Sequence, residues 1–241
     1  MIQVLPVEGL PEVGEGDDVA ALIAAAVELE DGDVVCVAHK IVSKAEGRVV
    51  DLAEIEPSEE ARELAGPDGD PRRLEVVLRE AVRVLRTRPP LVIAETRHGF
   101  VCASAGVDAS NAPASDTVVL LPEDPDVSAA RLRGALEERT GKTLGVVVTD
   151  TFGRAWRVGI ANVAIGAAGI EVLHDLRGER DPAGYELHTT VIALADEIAA
   201  AAELAMGKTL RVPAAVVRGL DVAGEGTARA LVMPPEQDLF R

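Results

Sequence analysis

No apolar run in this 241-residue chain reaches the ~18 charge-free residues that a membrane-spanning helix needs. No basic segment followed by an apolar one opens it, so no export leader is read. The expectation is a soluble, cytoplasmic protein. Cysteine is nearly missing: Cys36 and Cys102 lie in separate strand-like runs without motif spacing. That gives no support to a disulfide framework or a zinc site, and both thiols are expected in the core. Positive charge is also short. A formal net charge of −17 argues against a broad basic surface for nucleic acid. It leaves room for a local basic pocket that takes an anionic small molecule. Lysine supplies only four of the 24 basic residues, and Lys40 and Lys44 share one short segment.

What is present is ample core material. Apolar residues make up 48% of the chain, enough for one large domain or two interlocked small ones. Residues 2–7 read as a strand broken by Pro6, and 19–29 as an Ala-rich helix. Residues 33–38 read as a buried strand, and Pro57-Ser58-Glu59-Glu60 starts a short helix. A longer helix is predicted from Asp70 to about Arg86, with Leu74, Val77, Leu78, Ala81 and Leu85 on one face. Asp124-Pro125 caps a helix that runs to about Thr140 and stops at Gly141. Further strands are read at 91–94, 100–102, 144–148, 188–194 and 214–217, with a helix at 195–206 that ends at Gly207. Strands outnumber what a simple parallel α/β domain needs, and some pair as hairpins. The fold class is α+β, with mixed sheets and packed helices.

Two clusters carry candidate chemistry. Asp150 follows the run 144–148, flanked by Thr149 and Thr151, and is read at the strand's end, where open sheets place metal and phosphate chemistry. Capping of the next element is the competing reading. Asp108, Ser110 and Asn111 form the second cluster, just past Gly106. Short oxygen-bearing side chains suit a hard divalent cation. Two carboxylates ~4 Å apart repel by roughly 4 kcal/mol at an effective dielectric of about 20, so a buried pair needs a cation between them. Spacing does not say whether Asp108 and Asp150 meet. Gly207-Lys208-Thr209 mimics the tail of a phosphate-binding P-loop, but Ala202 stands where that loop needs Gly and a helix precedes it. A helix C-cap is the stronger reading of Gly207.

Five segments occur in order: Lys40 to Arg48, Glu95 to Cys102, Gly106 to Asn111, Asp150 to Arg154, and Leu176 to Asp181. Together they resemble the coenzyme F420-0:L-glutamate ligase family, from Leu5 to about Leu220. The resemblance implies a single ligase domain over residues 1–241, without the C-terminal reductase domain fused to it in some relatives. It also implies an α+β fold distinct from ATP-grasp and P-loop folds, in an intertwined homodimer. The implied activity is GTP-dependent addition of L-glutamate to F420-0 through an acyl phosphate, and of further γ-linked glutamates. Two divalent cations, Mg²⁺ or Mn²⁺, and K⁺ are the implied cofactors.

By that resemblance Asp108 and Asp150 hold one ion and Thr151 contributes to a second. Leu5, Pro6, Val7, Glu8, His39, Lys40, Lys44 and Asn111 correspond to nucleotide contacts. So do Met206, Gly207, Lys208 and Thr209, at the start of a segment reaching Pro213. Lys208 departs from an amide found in relatives, and its ammonium is no metal ligand. It is expected to reach phosphate, or to leave ligation to backbone carbonyls or water. Ala155 replaces a frequent Pro. Arg154 joins Asp108 and Asp150 in the catalytic set as a contact to phosphate or the acidic cofactor tail, with a surface ion pair as the alternative for it and for Arg157. Trp156 and Cys102 are read as core, and His98 and His174 as structural. A catalytically silent nucleotide- and F420-binding partner, and a ligase for another carboxylate acceptor, stay open as rival readings.

Overall fold

The apolar runs at 34–38, 145–148 and 214–217 owe their continuity to burial on both faces. Residues 1–239 of the chain are described by a computed structural model. In chain order the elements are β1 (Gln3–Pro6), α1 (Val19–Ala26), β2 (Val34–Ala38), α2 (His39–Ala45), β3 (Val49–Asp51), α3 (Glu59–Ala65), α4 (Pro71–Glu80), β4 (Ala81–Arg88) and β5 (Leu91–Thr96). Then follow β6 (Val101–Ala103), β7 (Thr117–Val119), α5 (Pro125–Thr140), β8 (Gly145–Arg154), β9 (Arg157–Ala168), β10 (His174–Asp175), β11 (Val191–Ile192), α6 (Leu194–Met206) and β12 (Ala214–Arg218).

The main sheet has five strands in the order β1-β12-β2-β8-β9, with β2 and β8 parallel and the other pairs antiparallel. Alternate residues of its strands enter two different cores, as a pleat of period two requires. Val35, Val37, Val146, Val148 and Val216 pack with Ile23 of α1 and Leu136 of α5. Val34, Cys36, Val147, Ala215 and Val217 pack with Ile198 and Ala202 of α6 on the other face. A third core lies beside this unit, where α3 and α4 cover the β4-β5-β6 sheet through Leu74, Val77, Val92 and Ala94. The arrangement is α+β with mixed sheets and packed helices, as expected. No helix among the described residues is long and apolar enough to cross a membrane.

Helix ends follow their capping residues. Asp124 Oδ1 accepts from the Val127 amide at 3.1 Å, Pro125 takes the first position of α5, and Gly141 stops it in the left-handed region. Three expectations need correction. The helix from Asp70 ends at Glu80, and residues 81–88 are strand β4, antiparallel to β5. Two bulges in that pairing break the period-two alternation, so Ala81 and Leu85 imitated a helical face. The strand expected over 188–194 shrinks to β11, because only His174 and Asp175 pair with it. Finally, β8 does not stop before Asp150 but runs to Arg154 in a hairpin with β9.

Gly166 of β9 lies where α5 begins, and an added Cβ there would stand 2.1 Å from the Pro125 carbonyl oxygen. Backbone cannot give way as a side-chain tip can. Gly166→Ala is therefore expected to destabilise the fold by about 1–3 kcal/mol through overpacking. Thermal unfolding checks this; an unchanged melting temperature would mean that α5 shifts freely on the sheet.

Candidate active site

β2 pairs with β8 as far as Ala38 and Thr149, and there the chain turns straight into α2. β8 continues with β9 alone, past a bulge in β9 between its Val148 and Thr149 pairings. A cavity of about 820 Å³ opens at this carboxyl end of the parallel pair, the usual place for a site in an open sheet. Its walls are residues 10–13, the β2–α2 junction from Ala38 to Ile41, Lys44, 111–113, 149–151, Asn162, Glu203, 206–209 and 211–213.

Consecutive residues at the start of α2 reach the two aspartates. His39 Nε2 stands 3.3 Å from Asp150 Oδ1, yet off the direction of a hydrogen bond. Asp150 Oδ1 accepts the Thr151 amide at 2.7 Å. Burial alone would push the Asp150 acid upward, but His39, that amide and Lys208 outweigh it and hold it below the ordinary carboxylate value. Lys40 Nζ donates to Asp108 Oδ2 at 2.5 Å, Ser110 Oγ at 2.6 Å and the Ser110 carbonyl at 2.8 Å. Three acceptors meet its three protons. Burial raises the Asp108 acid, and Lys40 with Ser110 more than reverses that. Asp108 thus attaches to the site through Lys40 and does not itself line the cavity. Lys44 is buried and pairs with Glu12, whose carboxylate is largely exposed.

Beside Asp150 runs a chain of hydrogen bonds. Thr151 faces Asn162 across the β8–β9 ladder, and its hydroxyl donates to Asn162 Oδ1 at 2.7 Å. Asn162 Nδ2 donates to Glu203 Oε2 at 3.0 Å, and Lys208 Nζ donates to Thr151 Oγ1 at 2.5 Å. Asn111 and Arg211 hold φ near +54° and +58°, left-handed values that non-glycine residues rarely adopt. Both line the cavity. Glu12, Asn162 and Glu203 escaped the sequence reading, whereas Arg211 falls in the expected segment from Met206 to Pro213. Only Asn162 left a signal, as a lone amide inside a strand of small apolar residues.

Of the expected nucleotide contacts, His39, Lys40, Lys44, Asn111, Met206, Gly207, Lys208 and Thr209 all line the cavity. Leu5, Pro6, Val7 and Glu8 do not. Leu5 and Val7 pack into the core, the Val7 amide is bound by the Ala214 carbonyl, and the next turn delivers residues 10–13 in their place. Arg154 is carried off along the hairpin, where its guanidinium donates to the Val158 carbonyl at 3.2 Å. Trp156 is no core residue: it is 80% exposed at the hairpin tip with φ +57°. Cys36 and Cys102 are buried, and burial pushes both thiols up to about 12, with Asp150 adding to the rise at Cys102. His98 is structural, its Nε2 held between the Pro122 and Glu123 carbonyls, whereas His174 is exposed.

The donors fit one divalent cation. Asp150 lines the cavity, and its Oδ2 has no hydrogen-bond partner among the described residues. No group of three or more His, Cys, Asp or Glu converges among the described residues, so a cation here would need phosphate oxygens and water to complete its shell. Mg²⁺ is bound in this manner, by one or two carboxylates plus substrate phosphates. A second ion at Thr151 does not fit the same way, because the Lys208 ammonium, 2.5 Å from its hydroxyl oxygen, would repel a dication there.

A model of the F420-0:gamma-glutamyl ligase family matches residues 9–219, which span every wall of this cavity. The chain belongs to that family. It is 50% identical to the coenzyme F420:L-glutamate ligase of Methanopyrus kandleri, over 100% of this chain and 98% of the relative. The enzymes of the same name from Archaeoglobus fulgidus and Methanothermobacter thermautotrophicus are 46% and 44% identical. Both comparisons cover 100% of this chain, with 96% and 99% of those relatives.

Proposed function

We propose that this chain is a GTP-dependent ligase that joins L-glutamate to the terminal carboxylate of coenzyme F420-0. The observation that carries the reading is the meeting of Lys40, Lys44, Asn111, Asp150 and residues 206–209 around one cavity, in a family member alike to its relatives over its whole length. A carboxylate oxygen of F420-0 attacks the γ-phosphorus and GDP leaves, giving an acyl phosphate. The glutamate nitrogen then attacks the acyl carbon, phosphate departs, and the nitrogen loses a proton to leave an amide.

Each step needs negative charge neutralised more than it needs a proton shuttle. Lys40 and Lys44 supply ammonium charge towards the phosphates. Asp150, with Asp108 behind Lys40, would hold a divalent cation, which screens the phosphate oxygens when bound. Lys40 exchanges Asp108 for phosphate as the nucleotide enters. The homodimer and K⁺ belong to the same proposal. Exposed Trp156, Val158 and Ile160 on the β8–β9 hairpin are apolar surface of the kind that a subunit contact covers.

Purified protein incubated with F420-0, glutamate and Mn²⁺ should yield F420-0 heavier by one or more glutamyl units with GTP, and little product with ATP. A guanine-reading site leaves buried polar groups unpaired against adenine. Equal turnover with both nucleotides sinks the GTP assignment. GTP binding without product would favour the silent partner, and phosphate release with unmodified F420-0 would favour another acceptor.

A further inference from the structure

Thr151 presents an acceptor that is set in advance for a cation. Its proton is committed to Asn162 Oδ1, 2.7 Å away across the ladder. Asn162 is locked in that orientation from its other end, its Nδ2 donating to Glu203 Oε2 at 3.0 Å and Thr149 Oγ1 at 3.3 Å. Rotation of either group would break this chain, so the lone pairs of Thr151 Oγ1 must point away from Asn162. Lys208 Nζ takes one of them at 2.5 Å. The lysine is placed by the turn at Gly207, whose φ of +58° ends α6 and returns the backbone towards β8. Thr151, Asn162, Glu203 and Lys208 all line the nucleotide-sized cavity, with Asp150 adjacent in the chain.

An ammonium carries charge without being a ligand, since all its positions are donors. It can neutralise phosphate, but it repels any dication brought to the same oxygen. We infer that the Lys208 ammonium is a built-in replacement for a second divalent ion, so that this chain works with one divalent ion, on Asp150, instead of two. The inference rests on the proposed nucleotide site and sharpens its ion content.

Manganese stoichiometry tests it. Free Mn²⁺ is followed by electron paramagnetic resonance while the native chain is titrated with the ion in saturating guanosine imidotriphosphate, with the ions bound by free analogue subtracted. One ion per chain is expected. Lys208→Gln, which puts an amide oxygen in place of the ammonium on an exposed residue, should bind two. Two ions in the native chain would overturn the inference and leave the functional reading standing, as would a Lys208→Gln count that stays at one. Binding of neither ion nor analogue would remove both.

Discussion

Asp150→Asn is expected to slow glutamate addition at least a hundredfold while the metal-free melting temperature moves by no more than a few degrees. Loss of one well-placed electrostatic contact in a transition state costs about 3–4 kcal/mol, or roughly 10² to 10³ in rate, and a displaced cation removes more charge than one donor. Stability has reason to hold. The asparagine oxygen can still accept the Thr151 amide, which lies 2.7 Å from Asp150 Oδ1, and a neutral amide escapes the burial that opposes the carboxylate. What is lost is attraction to His39 at 3.3 Å.

Asp108→Asn should behave differently. Lys40 has a side chain only 11% exposed and would keep its ammonium with one charged partner removed. That variant should lose activity and also about 1 kcal/mol of stability, the pair being discounted because Asp108 is itself 36% exposed. Product formation and thermal melts without metal separate the cases. A turn-capping Asp150 would show the reverse, with stability down by roughly 1 kcal/mol and turnover kept.

Elements whose cause is local were legible in the sequence. Asp124, Pro125 and Gly141 define α5 because capping acts within a few residues. The runs in β2, β8 and β12 could be read as buried because both faces are apolar. Where partners decide, pattern failed. Whether residues 81–88 are helix or strand depends on two bulges against β5, which have no signature of their own. Asp150 reads as a strand end because the apolar run stops there, but β9 supplies backbone partners out to Arg154.

The site divides along the same line. Short motifs pointed to His39, Lys40, Lys44, Asp108 and Asp150. The pairing of Lys40 with Asp108 spans 68 positions, and that of Asn162 with Glu203 spans 41, so neither follows from spacing. Each of the two carboxylates meets a neighbour on α2, Asp108 meeting Lys40 at 2.5 Å and Asp150 meeting His39 at 3.3 Å.

Lys44 and Glu12 should shift GTP affinity in opposite directions. Lys44 is buried against the cavity, and its carboxylate partner is 75% exposed on the loop at residues 10–13 that also lines it. Glu12 therefore stays hydrated when the lysine is removed, and Lys44→Ala should leave the fold largely intact. A hydrogen bond to a charged group contributes about 1.5–3 kcal/mol, so this variant should weaken GTP binding by roughly ten- to 150-fold. In the free protein the same ammonium is held by Glu12, which entering phosphate must displace. Glu12→Gln removes that competitor and one negative charge beside an anion site. An exposed pair is worth about 0.2–1 kcal/mol, which puts the gain in GTP affinity at up to roughly fivefold. Calorimetric titration of GTP into both variants reads the two signs directly. If the pair only braced the loop at residues 10–13, both substitutions would lower the melting temperature alike and neither would move GTP affinity. That result would return Lys44 to a structural role and leave Lys40 as the lysine of α2 that meets the nucleotide.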